Sequence, residues 1–180
     1  MQGLTQHLNL SNLSSLQGPY VKLMFDVMGR AMEAASQVDS VFEREIKGLS
    51  ADFVFEMCVK PNGPGLVMQK QPDGTLKFLG GTTPRKPDLS IQFKHMAHAF
   101  LVLSFQESTA RAFANDRMIV DGEISNALKM VRCLNRLEAF ILPKIVAERA
   151  IKRYPKLSLQ EKLTHGARIY SRVASNFMKL

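Results

Sequence analysis

The 180-residue sequence has no tryptophan, three tyrosines and two cysteines. The scarcity of exposed stacking rings argues against a single-stranded nucleic-acid platform, which needs aromatic faces interleaved with basic residues. Cys58 and Cys133 form no CxxC pair and no spacing that suggests a disulfide framework or a zinc site. Reduced thiols of a cytosolic protein are the expectation. No run of about 18 apolar residues occurs, and the first twenty residues lack a basic stretch followed by an apolar one, so neither a membrane span nor a signal peptide is expected. Catalytic patterns are missing as well: there is no nucleophile elbow, no Gly-rich loop at a strand-helix junction and no acidic pair in a recognisable motif. His95 and His98 make an HxxH without the neighbouring glutamate of catalytic zinc motifs, and no metal or other cofactor is expected.

What is present is apolar side chains in regular patterns and an uneven charge. The net charge of +8 is concentrated at the C-terminal end: residues 144–180 hold nine basic and two acidic residues, a balance of +7. The preceding residues are close to neutral. Any anionic partner would meet the tail. The length fits one domain, enough to bury about 70% of the surface of the unfolded chain.

Residues 1–18, rich in Ser, Asn, Gln and Leu, read as a flexible arm that Gly18-Pro19 closes. Helical spacing over 20–38 puts Met24, Met28 and Met32 on one stripe, which serves either ordinary core packing or an adaptable wall for a flexible ligand. Alternation then predicts strands over 53–59, 66–70 and 75–79, joined by Pro61-Asn62-Gly63-Pro64-Gly65 and by an Asp73-Gly74 turn. A fourth strand over 88–94 places Leu89, Ile91 and Phe93 on one face, and a fifth covers 117–121. Helices are predicted over 95–105, 108–114 and 124–143, the last through Ile124, Ala127, Leu128, Val131, Leu134, Leu137 and Ile141. These elements make an α+β fold: a five-stranded, mostly antiparallel sheet covered by helices, with additional N- and C-terminal helices. The organisation is an arm over 1–18, a domain over 19–143 and a basic helical extension over 144–180.

In that extension, Ser158-Leu159-Gln160-Glu161 fits a capping box and predicts a helix start at Leu159. Its apolar face includes Tyr170 and Phe177, and its other side includes Lys162, Arg168 and Arg172. Two readings fit: insertion into an anionic membrane surface, or docking on its own domain or a partner subunit.

The succession PDLSIQF, HMAHAFLVL, STARAFA, RMIVDGE and SNALKM resembles the sterol carrier protein 2 family of lipid-binding domains, in the manner of a distant, bacterial-type member. The likeness covers 51–137. Asp88 and Ile91 fit the family's Asp-Leu-x-Ile strand and Gly122 its Gly-Asp turn; Glu123 departs by replacing Asp, and Asn115-Asp116 by replacing a Gly. The resemblance implies a five-stranded sheet and helices enclosing an apolar cavity for a sterol, fatty acyl or isoprenoid chain. Candidate lining residues are Phe93, Phe100, Leu101, Phe105, Phe113, Met118, Leu128 and Val131, although the same periodicity describes a filled core.

The expected function is non-catalytic binding, with transfer or presentation, of an apolar lipid. The alternative is a scaffold or accessory subunit of lipid-metabolising enzymes that assembles through the C-terminal helix. Candidate partners are the apolar lipid, an anionic membrane surface met by Lys162, Arg168, Arg172, Tyr170 and Phe177, and a second copy of the chain. Nucleic acid is not expected.

Overall fold

The computed structural model describes residues 10–141, with Ala167 and Ser171 in addition. The first helix, α1, runs Leu10–Val38 and α2 runs Ser40–Lys47; strands β1 (Val54–Val59), β2 (Gly65–Lys70), β3 (Leu76–Gly80) and β4 (Leu89–Phe93) follow. After them come α3 (Met96–Leu103), α4 (Thr109–Ala114), β5 (Met118–Gly122) and α5 (Ile124–Ile141).

The sheet has the order β3-β2-β1-β4-β5. Its pairs are antiparallel except β1 with β4, which is parallel because the chain crosses from the far edge at β3 to the other side of β1. Register puts Phe55 beside Met68 and Leu89, Met57 beside Leu66 and Ile91, and Phe93 beside Met118. Paired side chains share a face, so these residues form one apolar surface, and all of them are buried. Helix α1 lies against β2, β3 and α3, and α5 packs on α1 and α2.

The flexible arm expected over 1–18 is corrected for residues 10–18, which are the first turns of α1, and Gly18-Pro19 sits inside that helix. Proline removes one intrahelical bond. Tertiary packing on the following turn outweighs it: Val21 and Phe25 are fully buried, and the Tyr20 hydroxyl donates to the Leu103 carbonyl at 3.1 Å. Further along α1, Gly29 permits close approach to the sheet. A Cβ there would run into the Phe78 ring and come within 2.8 Å of Leu66 Cδ1.

The short helix α2, to which the sequence reading assigns no element, is set by Asp39. Its Oδ1 accepts from the backbone N–H of Val41 at 2.8 Å and of Phe42 at 2.9 Å, a side-chain N-cap. Its buried face is Phe42 and Ile46.

Helix α1 also serves the β3 edge. Ser36 Oγ accepts from Leu76 N at 3.0 Å and Glu33 Oε2 from Phe78 N at 2.9 Å.

Two residues of the resemblance's motif have structural roles in the sheet. Asp88 Oδ2 accepts from Val54 N at 2.8 Å and from Arg85 at 2.6 Å, fixing the start of β1. The Arg85 guanidinium holds the Asp88 carboxyl below the usual carboxylate range. Gly122 has φ +134°, and a Cβ on it would lie 2.6 Å from the Asp88 carbonyl oxygen. Only glycine suits that position.

Candidate functional site

A cavity of about 50 Å³ lies between α1, the apolar face of the sheet and α5. Its described walls are Met24, Val27 and Met28 of α1; Met57, Ile91, Phe93 and Met118 of the sheet; Val102 and Leu103 of α3; Phe105 and Thr109; and Leu134, Leu137 and Glu138 of α5. Each element contributes by its own periodicity. Met24 and Met28 are one turn apart on α1, and the four sheet residues share the face set by register. A slot of this size is far below the roughly 300–1,000 Å³ of ordinary small-molecule pockets. Four of the fourteen wall residues are methionines, whose unbranched side chains re-pack at low cost.

Phe105 reaches the wall through an unusual backbone. It follows α3 with φ +60°, a left-handed position at which glycine is usual. The helix end closes around it: Phe105 N donates to Val102 O and Gln106 N to Leu101 O, both at 3.0 Å. The chain accepts the backbone cost where it gains an aromatic wall. On the other flank, Tyr20 packs edge-to-face on Phe100 with centroids 5.2 Å apart, tying α1 to α3.

Glu138 is the single ionisable group among the described wall residues, and Thr109 the other polar one. Burial raises the Glu138 carboxyl to about 7. The nearby basic residues of α5 are engaged elsewhere. Arg136 Nε donates to Asp39 Oδ2 at 3.0 Å, and Arg132 makes a two-point pair with Glu45 at 2.9 and 2.7 Å.

Of the candidate lining residues, Phe93, Phe105 and Met118 lie on the cavity wall. Phe100, Leu101 and Val131 are half-buried and are not among its described walls. Phe113 and Leu128 are corrected: they are 57% and 54% exposed. In α4 the buried residue is Ala112, and the next side chain is turned by about 100°, toward solvent. In α5 the buried face runs through Met130, Cys133, Leu134 and Leu137, leaving Leu128 and Ile124 off it. Of the methionine stripe, Met24 and Met28 line the cavity while Met32 is fully buried core.

The wall residues that the sequence reading passed over include Met57, Val102, Leu103, Thr109 and Glu138. Glu138 had a visible signal: it follows Val131 and Leu134 at helical spacing and precedes Ile141, so it occupies an apolar stripe.

Among the described residues no group of three His, Cys, Asp or Glu side chains is placed to hold a metal ion. His95 and His98 stack edge-to-face at 5.1 Å. Burial is the largest cause that pushes the Cys58 thiol up to about 11 and that of Cys133 to about 12. Neither is an activated nucleophile. Among the described residues no helix is long and apolar enough to cross a membrane. Lys162, Arg168, Tyr170, Arg172 and Phe177 lie outside the described residues, as does the capping box.

No family model matches this sequence, and no curated protein matches it. Among solved structures, the chain is similar to a UbiJ-SCP2 ubiquinone synthesis protein, with a TM-score of 0.45 and 14% identity over 67% of this chain and 97% of that one. It is similar to the sterol carrier protein domain 2 of Helicoverpa armigera, with a TM-score of 0.42 and 20% identity over 61% of this chain and 84% of that one. A third similar structure is the apo form of sterol carrier protein 2 from Yarrowia lipolytica, with a TM-score of 0.42 and 18% identity over 63% and 86% of the two chains.

Proposed function

We propose that this protein binds an apolar lipid, without catalysis, in the cavity between α1, the sheet and α5, and transfers or presents it. The observation that carries the reading is the composition of the wall, twelve apolar side chains among its fourteen described residues, with Met24, Met28, Met57 and Met118 among them. Such a wall gains about 25 cal/mol for each Å² of apolar surface that a ligand removes from water. At about 50 Å³ the slot is too small for an acyl or polycyclic chain, and binding one requires the methionines and Phe105 to swing apart. The sequence motifs around Asp88 and Gly122 support the same reading through their resemblance to sterol carrier protein 2.

The basic extension is proposed to bring the container to an anionic membrane. Co-sedimentation with anionic liposomes should weaken with salt and fall when Arg168 and Arg172 are changed to Glu; sedimentation unchanged by both would remove this part of the proposal.

The small volume favours one other reading, a scaffold subunit with a filled core. Native mass spectrometry of the gently purified full chain separates the two. A co-purifying lipid mass supports the container. A ligand-free dimer that becomes monomeric when 159–180 are deleted supports the scaffold and overturns it.

A further inference from the structure

We propose that Glu138 and Thr109 form a headgroup site in this cavity, which selects lipids ending in a neutral hydroxyl or carbonyl oxygen and rejects those ending in a carboxylate. The inference rests on the lipid-binding reading and adds to it the polar end of the ligand.

Apolar surface holds a chain but does not orient it; orientation comes from the few polar groups placed among the apolar ones. Among the described wall residues the polar ones are Thr109, the first residue of α4, and Glu138, near the end of α5. From α1, the sheet and α3, the described residues facing the cavity are all apolar, so no cation there neutralises Glu138. On α5 itself Arg132 and Arg136 pair with Glu45 and Asp39 of the α2 region.

A carboxyl group kept in such surroundings is held partly in its protonated form near neutrality, as its raised titration reflects. In that form it donates a hydrogen bond to a carbonyl or hydroxyl oxygen. Ionised, it still accepts from a hydroxyl. Thr109 can do both. A hydroxyl is therefore satisfied in either state of Glu138, and a carbonyl oxygen by protonated Glu138 or by the Thr109 hydroxyl. A carboxylate head is not: beside an ionised Glu138 it sets two like charges in a half-buried apolar cavity, where water screens them less than it does in bulk.

The test uses the full chain and the fluorescence of diphenylhexatriene, a hydrocarbon with no headgroup, displaced by dodecanol, dodecanoate or dodecylamine. At about pH 8, where Glu138 is mostly ionised, dodecanol should compete about tenfold more strongly than dodecanoate, and E138Q should bring the two within about threefold by admitting dodecanoate. Diphenylhexatriene affinity is measured for each protein, and each competition is expressed relative to that protein's own affinity. Equal competition by dodecanol and dodecanoate in the native chain overturns the headgroup site while leaving the lipid container standing. Stronger competition by dodecylamine than by dodecanol overturns it in favour of a cationic head. If diphenylhexatriene does not bind the native chain at all, the container reading fails, and the headgroup site fails with it.

Discussion

Arg136 Nε donates to Asp39 Oδ2 at 3.0 Å, and the other oxygen of the same carboxylate caps α2. One buried side chain thus starts a helix and fastens α5 to it. Because Leu134, Leu137 and Glu138 flank Arg136 on α5, the pair also sets how that helix presents its residues to the cavity.

Replacing Asp39 by Ala removes the cap, worth about 1 kcal/mol, and takes the acidic partner from a guanidinium that is 13% exposed. The expected loss is about 3 kcal/mol or more. Asp39→Asn should retain the cap and lose less. Urea unfolding of the two variants checks the order, and an Asn variant as damaged as the Ala variant would contradict the cap.

Gly29 is the second structural test. A methyl group at this position meets Phe78 and Leu66, so Gly29→Ala should destabilise by about 1–3 kcal/mol despite alanine's better helix propensity. A thermal midpoint at or above that of the native chain would show that α1 does not sit this close to β2 and β3.

Most of the fold was legible in the sequence because it obeys the two elementary periods. Alternation marked all five strands to within a residue or two of their ends, and the 3.6-residue period marked α3, α4 and α5. What escaped had local rules overruled by contacts distant in sequence. Pro19 reads as a boundary, yet Tyr20 and Val21 are anchored on the core and the helix continues through it. Helix α2 is eight residues long with two apolar anchors, too short to display a period, and its evidence is the single cap at Asp39. For the site, periodicity identifies which side chains share a face but not what lies opposite. Phe113 and Leu128 therefore looked like wall residues and are exposed, while Glu138 was hidden among apolar neighbours whose surroundings give it meaning.

Phe105 offers a test of how the wall is built. At φ +60° alanine carries a backbone cost that glycine does not. Phe105→Gly should therefore be less destabilising than Phe105→Ala by about 1 kcal/mol, the reverse of the usual order. Chemical denaturation of the pair decides it, and Ala more stable than Gly would contradict the left-handed helix end.

Glu138 makes stability depend on pH. Its carboxyl titrates at about 7 in the fold against an ordinary 4.5, so between those values the folded chain holds a proton that the unfolded chain has released. Its contribution is full below about pH 4.5 and is lost as pH rises through about 7, a decline of roughly 2 to 3 kcal/mol. E138Q should flatten that decline. Unfolding midpoints at about pH 5 and pH 8 check it; equal slopes for the native chain and the variant would count against the group.

Cys133 is buried and Cys58 half-buried, which predicts slow thiol chemistry. With Cys58 at about 11 and Cys133 at about 12, little thiolate forms at neutral pH. Iodoacetamide should label the native chain far more slowly than the urea-unfolded one. Rapid labelling of Cys133 in the native chain would show that α5 detaches from the core.

The hydrogen bonds from Ser36 and Glu33 to the outer N–H groups of β3 bear on how this protein survives at high concentration. An exposed strand edge is a template for the strands of other molecules, and such growth leads to fibrils. At β3 two of the donors needed for that growth are already occupied by the protein's own first helix. Self-templating is therefore hindered on that side and would have to begin at β5, a strand of five residues that Gly122 ends.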